Sequence, residues 1–381
     1  MDLNRPPPGF PASKPSVYYS NLVPNTFDEK VLSLSLSDLK LKPNSISQAS
    51  STRFDSEASP SSSNEVEPVS LDTKGILDKL ATLSRTKNGS KRTQQLIAKS
   101  RPEEIQKVID CLKPHIGDLM CDTYGNYMCQ TLFQSCSSQQ RLSLLEAMKE
   151  QLISIATDPK GTHSLQNLVS LTSLPEEESI YHRSFSGNIM YLSTHQHASH
   201  VVQKMLVTLQ KKHFAIREIV RHAKQLAQDK LGLCVIKKCV QDPQVFAELQ
   251  SDPLILMQDP YGNYAMQLMI ETWMEECSLS LMGVLKGRCA QLCIQKYASN
   301  VMEKCMIEEK LRRFIIEELI SDDKLPLLLS CPYGCYVLRT AALHAETDLK
   351  KKLKNVIGSV LPKLQQKKLK TRWDEILKYL N

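Results

Sequence analysis

The stretch "DTYGNYMCQTL" at residues 122–132 returns as "DPYGNYAMQLM" at residues 259–269. In both copies a Tyr-Gly-Asn-Tyr run is followed, three residues after its last Tyr, by Gln. A pattern this specific, repeated so far apart, predicts that one structural unit is used several times along the chain.

Eight segments align on this run, and their third residues fall at positions 90, 126, 162, 199, 233, 263, 299 and 335. These positions are 36, 36, 37, 34, 30, 36 and 36 residues apart. Because the period is nearly constant and the apolar spacing is helical, we expect a solenoid of stacked helical hairpins or triplets. The segments, which define units 1 to 8, are "NGSKRTQQLIA" (88–98), "YGNYMCQTLF" (124–133), "KGTHSLQNLV" (160–169), "HASHVVQKML" (197–206), "LGLCVIKKCV" (231–240), "YGNYAMQLMI" (261–270), "YASNVMEKCM" (297–306) and "YGCYVLRTAA" (333–342).

Helical geometry places the polar residues of a unit on one arc. With Asn126 at zero, Tyr127 lies near about 100° and Gln130 near about 40°. These are the third, fourth and seventh positions of the unit, and the pattern predicts that all three share an exposed edge. The apolar residues fall on the opposite arc and are expected to pack against neighbouring units: Met128, Cys129, Leu132 and Phe133.

Charge and composition divide the chain in two. Residues 1–73 are rich in Ser and Pro and carry a net charge of −3, whereas residues 74–381 carry +10. The first part cannot bury enough apolar surface to offset the entropy of ordering, so we predict a disordered tail. The second part is predicted to be a basic helical domain suited to a polyanionic partner.

The twelve cysteines do not indicate a secreted protein. They form no CxxC pattern, and Cys129, Cys239 and Cys305 occupy apolar positions of helical segments, so we expect reduced core residues. The start "MDLNRPPPGF" has no basic and apolar leader, and no apolar run is long enough for a bilayer. We therefore expect an intracellular protein without a membrane segment.

The segment from about residue 74 to the end resembles the Pumilio-homology (PUF) family, through its two Tyr-Gly-Asn-Tyr…Gln units and its full count of eight. The resemblance implies an all-α fold, a right-handed superhelical crescent of eight three-helix repeats with terminal caps. It also implies that single-stranded RNA binds along the inner face. The basic segment at 351–380 would form the C-terminal cap.

In such a protein, flat side chains stack on unpaired bases while polar pairs meet the base edges. The fourth positions are the predicted stacking residues: Lys91, Tyr127, His163, His200, Cys234, Tyr264, Asn300 and Tyr336. The third and seventh positions are the predicted base-edge residues: Ser90 and Gln94, Asn126 and Gln130, Thr162 and Gln166, Ser199 and Gln203, Leu233 and Lys237, Asn263 and Gln267, Ser299 and Glu303, and Cys335 and Arg339.

By resemblance to the family, each kind of pair has a preferred base. Asn with Gln reads uracil in units 2 and 6, Ser with Glu reads guanine in unit 7, and a small residue with Gln reads adenine in units 1, 3 and 4. Arg339 of unit 8 only donates hydrogen bonds, which favours cytosine where the family usually has a uracil reader. In unit 5, either several bases are tolerated or Lys237 holds a phosphate, and we favour weak selectivity. Since the family runs antiparallel to its RNA, the predicted site is 5′-(C/U)-G-U-N-A-A-U-A-3′.

Several interpretations other than sequence-specific RNA binding are open to the same sequence. A helical solenoid also suits a protein-binding scaffold of armadillo or HEAT type, and a nucleolar PUF-like ribosome-assembly factor would show low base selectivity. The run "HQHASH" (195–200) has the composition of a metal site without partner spacing, and we expect neither metal nor cofactor. No catalytic motif is present, so we expect no enzyme. The three consecutive acidic residues in "PEEESIYHRSFSGNIMYLSTH" (175–195) are expected to form a solvated face.

The expected function is therefore sequence-specific RNA binding. The resemblance implies regulation of messenger RNA through 3′ untranslated regions, by translational repression or decay. It also implies a cytoplasmic, monomeric protein that recruits deadenylase or translational-repressor proteins.

Overall fold

The structure is a computed structural model that describes residues 79–321, 323–364 and 370–380. The predicted tail, residues 1–73, lies outside the described residues, so its disorder stays a prediction. The described residues form α-helices and short 3-10 turns with no strand. Within them, no helix is both long and apolar enough to cross a membrane.

Each aligned segment begins a helix, which we call the motif helix of its unit, and in units 2 to 8 two other helices precede it. The helices of units 1 to 4 are α1 (Leu80–Ser84) and α2 (Lys87–Lys99); α3 (Pro102–Leu112), α4 (Ile116–Cys121) and α5 (Gly125–Ser135); α6 (Ser138–Met148), α7 (Leu152–Thr157) and α8 (Gly161–Ser170); and α9 (Pro175–Phe185), α10 (Ile189–Thr194) and α11 (Ala198–Thr208).

The second half of the solenoid repeats the same order. The helices of units 5 to 8 are α12 (His213–Arg221), α13 (Ala223–Ala227) and α14 (Gly232–Ile236); α15 (Pro243–Gln250), α16 (Pro253–Met257) and α17 (Gly262–Thr272); α18 (Met274–Leu285), α19 (Cys289–Cys293) and α20 (Ala298–Cys305); and α21 (Glu309–Ser321), α22 (Leu325–Ser330) and α23 (Pro332–His344). Helices α24 (Thr347–Val360) and α25 (Lys370–Leu380) follow. The repeat period was compatible with either helical hairpins or triplets, and units 2 to 8 are triplets.

The motif helices stack in sequence order, each contacting the next from α2 to α23. Their predicted apolar arc is buried, as shown by Met128, Cys129, Leu132 and Phe133, which have no exposed surface. The cysteines Cys129, Cys239 and Cys305 are buried free thiols, as expected. Burial raises the pKa of Cys239 to about 12, which keeps this thiol protonated and unreactive at neutral pH.

A short side chain fixes the start of most motif helices. Asp122 Oδ1 accepts hydrogen bonds from the N–H groups of Tyr124 (2.9 Å) and Gly125 (2.8 Å), which lack partners within the helix. The same arrangement is made by Asp158, Asp229 and Asp259. In unit 4 the Nδ1 atom of His195 takes this role toward the N–H groups of residues 197 and 198. The histidine run "HQHASH" thus contains a helix cap.

Close approach explains the glycine before the third position. A Cβ atom added to Gly125 would lie 2.7 Å from the carbonyl oxygen of Leu119, and one added to Gly262 would lie 2.7 Å from that of Leu256. No real Cβ tolerates such a contact, so glycine lets the motif helix pack tightly against the end of the preceding short helix.

The basic C-terminal segment closes the solenoid as predicted. Helix α25 packs on α23, and the Trp373 indole donates a hydrogen bond to the carbonyl oxygen of Leu329 (2.8 Å). Ile376 and Leu380 are buried at the same contact. The apolar end of unit 8 is therefore covered by a helix whose other side carries charged residues of both signs.

The acidic run of unit 4 does not behave as expected. Glu177 is 1% exposed and accepts from the N–H groups of Ser173 and Leu174, and it faces Arg141 of unit 3. Glu178 is also buried, and its oxygens accept from the N–H groups of residues 210 and 211. The prediction of a solvated face is wrong for these two side chains because each serves backbone donors that no helix or strand satisfies.

Candidate nucleic-acid interface

The three predicted site positions differ in exposure in a regular way. All eight third-position residues are buried, with no more than 5% of their surface exposed. The fourth-position side chains are exposed in seven units, with Tyr127 reaching 58%, and Cys234 is half-buried. The seventh-position side chains are half-buried in seven units, and Lys237 is exposed. The structure therefore brings the fourth and seventh positions to a common surface.

The expectation that the third residue is an exposed member of the pair is wrong. Helical side chains tilt toward the N-terminus of their helix, so a residue in the first turn lies over the preceding loop. Asn126 accordingly donates from Nδ2 to the carbonyl oxygens of Asp122 (2.9 Å) and Thr123 (3.0 Å). Asn263 repeats this in unit 6 with Asp259 and Pro260, both at 2.9 Å.

The buried third residue orients the seventh. Gln130 Nε2 donates to Asn126 Oδ1 (3.3 Å), and Gln267 Nε2 donates to Asn263 Oδ1 (3.1 Å). Units 1 and 3 make the equivalent contact between Gln and a hydroxyl oxygen, at 3.0 and 3.2 Å. In each case the glutamine uses one amide N–H in this contact, and its amide oxygen takes no part in it. The second N–H and the oxygen therefore offer a donor and an acceptor at the exposed end of the side chain.

The small third residues of units 1 and 3 also join neighbouring units. The Ser90 hydroxyl donates to the carbonyl oxygen of Tyr124 (2.7 Å), and the Thr162 hydroxyl donates to that of His197 (3.0 Å). In unit 4, Ser199 is fully buried and its hydroxyl has no hydrogen-bond partner. The adenine-reading prediction therefore covers units that differ in how the hydroxyl is held.

Unit 7 presents a carboxylate in place of the glutamine. Glu303 is half-buried, and its Oε2 atom accepts a hydrogen bond from the Thr340 hydroxyl of unit 8 (2.9 Å). Burial raises the pKa of Glu303, while the Thr340 hydroxyl and the nearby Arg339 guanidinium act in the opposite direction. Ser299 donates to the carbonyl oxygen of Lys296 (3.3 Å) within its own unit.

In unit 8 the exposed ring belongs to Tyr336, and two guanidinium groups approach it. The Cζ atoms of Arg339 and Arg372 lie 5.7 and 4.8 Å from the ring centroid. Arg339 also faces Glu375 of α25 at 3.7 Å. Cys335, the third residue, is buried, so Arg339 is the polar group that this unit presents.

In unit 5 the side chains cannot form the glutamine arrangement. Leu233 is buried and apolar, the Cys234 thiol donates weakly to the carbonyl oxygen of Lys230 (3.7 Å), and Lys237 projects as an exposed ammonium group. The unit offers positive charge without a directional donor and acceptor pair.

Two residue sets were missed in the sequence. The first comprises the helix-capping aspartates, which recur four residues before the third position and could have been found from that spacing: Asp122, Asp158, Asp229 and Asp259. The second comprises residues of a neighbouring element that touch a site residue, Thr340 and Arg372. Such contacts leave no local sequence pattern. Among the described residues, no cluster of three or more His, Cys, Asp or Glu side chains could hold a metal ion.

Comparisons with known proteins agree with the repeat register. The Pumilio-family RNA binding repeat matches residues 115–148 and 288–320, and a NOP9-like PUF repeat domain matches residues 150–272. Pumilio homolog 12 of Arabidopsis thaliana is 30% identical over 284 residues, covering 71% of this chain and 48% of the relative. A Pumilio domain-containing protein of Schizosaccharomyces pombe is 28% identical over 325 residues, covering 82% of this chain and 46% of the relative.

Solved structures show the same fold. The Puf4 RNA binding domain, bound to the HO endonuclease RNA 3′ UTR recognition sequence, superposes with a TM-score of 0.73 at 24% identity, covering 81% of this chain and 99% of that one. PUF-8 in complex with PBE-RNA gives 0.71 at 20% identity, covering 83% and 96%. The predicted all-α solenoid of PUF repeats is confirmed.

The chain belongs to the Pumilio-homology (PUF) family. It spans about half the length of the curated relatives it matches.

Proposed function

We propose that this chain binds single-stranded RNA along its motif helices and selects bases through the seventh-position side chains. The observation that carries the proposal is the regular exposure: a flat or basic fourth residue and a half-exposed polar seventh residue recur on stacked helices that contact one another in order. Unpaired bases stack on such side chains and present their Watson–Crick edges to the polar groups beside them.

The glutamine arrangement suits uracil in units 2 and 6. A glutamine with one amide N–H and one amide oxygen still available can donate to a uracil carbonyl and accept from its N3–H. The buried Asn126 and Asn263 orient this amide by accepting one of its N–H groups. The carboxylate of Glu303 suits guanine, whose N1–H and N2 amino group are both donors.

The biological role that we propose is post-transcriptional regulation of messenger RNAs through 3′ untranslated elements that contain UGU or CGU. Support comes from the relatives' names and from solved Puf domains bound to 3′ UTR recognition sequences. The protein would act as a cytoplasmic monomer without catalysis of its own, recruiting deadenylase or translational-repressor proteins.

A second candidate function has one specific observation in its favour. The NOP9-like model matches units 4 to 6 and the last helices of unit 3, residues 150–272, where the fifth unit lacks a polar pair. A ribosome-assembly factor with low base selectivity would share that feature. Selection of bound RNAs from a random pool separates the two, because the regulator enriches one element and the assembly factor enriches none.

The decisive test exchanges the readers of two units. Ser299→Asn with Glu303→Gln should change the preferred second base from guanine to uracil, and Asn126→Ser with Gln130→Glu should change the seventh base from uracil to guanine. Dissociation constants are measured on RNAs that differ only at these bases. Each variant serves as the control for the other, since the base read by the unchanged unit should keep its preference. If neither preference moves, the base-reading assignment is wrong.

If the solenoid is instead a protein-binding scaffold, RNA affinity should be weak and insensitive to sequence. A salt series distinguishes the cases, because phosphate contacts make the affinity of an RNA-binding protein fall steeply with salt concentration.

A further inference from the structure

The side chain predicted to read guanine is held by a residue of the next unit. Thr340 lies on α23, five residues after the third position of unit 8, and its hydroxyl donates to Glu303 Oε2 on α20 at 2.9 Å. Both side chains are half-buried. A hydrogen bond from a neutral hydroxyl to a partly buried carboxylate is directional and partly shielded from water, so it restrains the orientation of the carboxylate.

The residue at the same position of unit 7 also contacts the preceding unit. Lys304, five residues after Ser299, forms an ion pair with Glu271 at the end of α17, and both side chains are mostly buried. By contrast, the equivalent residue of unit 2, Thr131, is also half-buried but donates to the carbonyl oxygen of Tyr127 in its own helix (3.2 Å). A threonine at this position therefore does not by itself imply a hydrogen bond to the preceding unit, which Thr340 makes and Thr131 does not.

We infer that Thr340 is a positioning residue for guanine recognition, which it supports by orienting the carboxylate of Glu303. This inference rests on the proposed function, because it assumes that Glu303 reads the second base. Guanine needs two acceptors in one plane for its N1–H and N2 amino group. The Thr340 hydroxyl occupies one lone pair of Oε2, which leaves Oε1 and the second lone pair of Oε2 for the base.

Protonation of Glu303 would remove this recognition. A neutral carboxyl group carries an O–H donor, which opposes the guanine donor instead of accepting from it. The titratable groups that act on Glu303 are the Arg339 guanidinium of α23 and the Cys293 thiol of α19. Lys304, the next residue along α20, is paired with Glu271. Of these, Arg339 favours the ionised form together with Thr340, while burial of Glu303 favours the neutral form and raises its pKa.

Thr340→Val tests the inference, because valine keeps the shape and branching of threonine but lacks the hydroxyl. Preference for guanine over adenine at the second base should fall by about threefold to tenfold, the range that one net hydrogen bond accounts for. On acidification from pH 7 to pH 5, loss of binding to the guanine RNA should begin at a higher pH than in the parent, since the donor that lowers the pKa of Glu303 is gone. Thr340→Ser should restore both properties.

Thr131→Val is the matched control, as it removes a hydroxyl at the same position of unit 2 that donates within its own helix. It should change neither the second-base preference nor the pH profile. Thermal unfolding of each variant shows whether a lost preference reflects lost folding, and affinity for an RNA with adenine at the second base shows whether the rest of the site is intact.

A third variant, Glu303→Gln, separates this inference from the proposed function. If Glu303→Gln abolishes guanine preference while Thr340→Val alters neither preference nor pH profile, Thr340 is not a positioning residue and the base-reading assignment stands. If Glu303→Gln leaves second-base preference unchanged, the assignment of Glu303 fails and this inference fails with it.

Discussion

Units 2 and 6 differ from unit 5 in the length and chemistry of the motif helix, although all three begin in the same way. In units 2 and 6 this helix has 11 residues, whereas in unit 5 the regular helix ends after five, at Ile236. Beyond that point the N–H groups of Lys238 and Cys239 donate to carbonyl oxygens three residues back, which is a tighter turn.

These three helices begin alike because each needs a capping aspartate and a glycine to pack in the solenoid. Asp229 caps unit 5 through the N–H groups of Leu231 (2.9 Å) and Gly232 (2.7 Å), as Asp122 and Asp259 cap the other two. A Cβ atom on Gly232 would lie 2.5 Å from the carbonyl oxygen of Leu226, so its glycine is needed too. The cap and the glycine belong to the fold, and the third, fourth and seventh residues vary independently of them.

A unit can therefore keep its place in the solenoid without a polar pair at its third and seventh positions. In unit 5, Leu233 occupies the buried position that an asparagine has in units 2 and 6. An apolar side chain is suited to this position because it needs no hydrogen-bond partner when buried. Because Leu233 has no side-chain oxygen, it could not orient a glutamine amide at the seventh position. That position is occupied by Lys237. We therefore expect weak base selectivity at unit 5, because its buried third residue is apolar and offers no oxygen to a seventh-position amide.

The largest expected effect concerns stacking. Tyr127→Ala should weaken RNA binding by about 1–3 kcal/mol, the usual contribution of one base–aromatic contact, which is roughly a 5- to 150-fold rise in the dissociation constant. Cys234→Ala, the control from unit 5, should stay within about twofold of the parent because the thiol offers no ring to stack on. Fluorescence anisotropy with the predicted RNA measures both. Equal losses in the two variants would mean that the fourth positions do not stack on bases.

A smaller effect is expected from giving unit 5 the reader of unit 6. Leu233→Asn with Lys237→Gln should create a preference for uracil at the fourth base of about threefold to tenfold, the range of a net hydrogen bond. The Asn would find carbonyl acceptors at Asp229 and Lys230, which correspond to those at Asp259 and Pro260 in unit 6. Dissociation constants are compared on four RNAs that differ only at this base.

The reciprocal variant, Asn263→Leu with Gln267→Lys, is the control for that exchange. It should erase the preference for uracil at the third base. If the unit 6 variant loses its preference for uracil but the unit 5 variant shows no preference at the fourth base, then the short helix of unit 5 prevents base selection. In that case its side chains are not the cause.

The sequence predicted the fold because repetition and helical periodicity are local properties. The eight-unit register, the apolar arc represented by Met128 and Phe133, and the C-terminal cap all appear where they were predicted. Angular position on a helix also placed Tyr127 and Gln130 on one surface. It could not show that Asn126 is covered, because the covering atoms are backbone carbonyls of the preceding loop, which a helical projection omits.

Contacts between units could not be predicted from the sequence because the partners are far apart along the chain. The three glutamates at 176–178 look alike in sequence, yet only Glu176 is exposed. Glu177 and Glu178 are buried because of Arg141 of unit 3 and the loop at residues 210–211, which lie more than thirty positions away. The Thr340–Glu303 hydrogen bond is of the same kind. Such partners follow from how the units stack.

The smallest expected effect separates charge from base recognition. Lys237→Ala should weaken binding by about twofold to threefold on every RNA alike and reduce the slope of log affinity against log salt concentration by up to about 0.7, the value for one phosphate contact on a single strand. Gln267→Ala should instead lower preference for uracil at the third base and leave the salt slope unchanged, because a neutral amide releases no counterion. The two are measured by anisotropy between 50 and 200 mM salt, a range in which electrostatic contributions are resolved. If Lys237→Ala changes base preference at the fourth position without changing the slope, then the ammonium group contacts a base, and unit 5 is a selective reader after all.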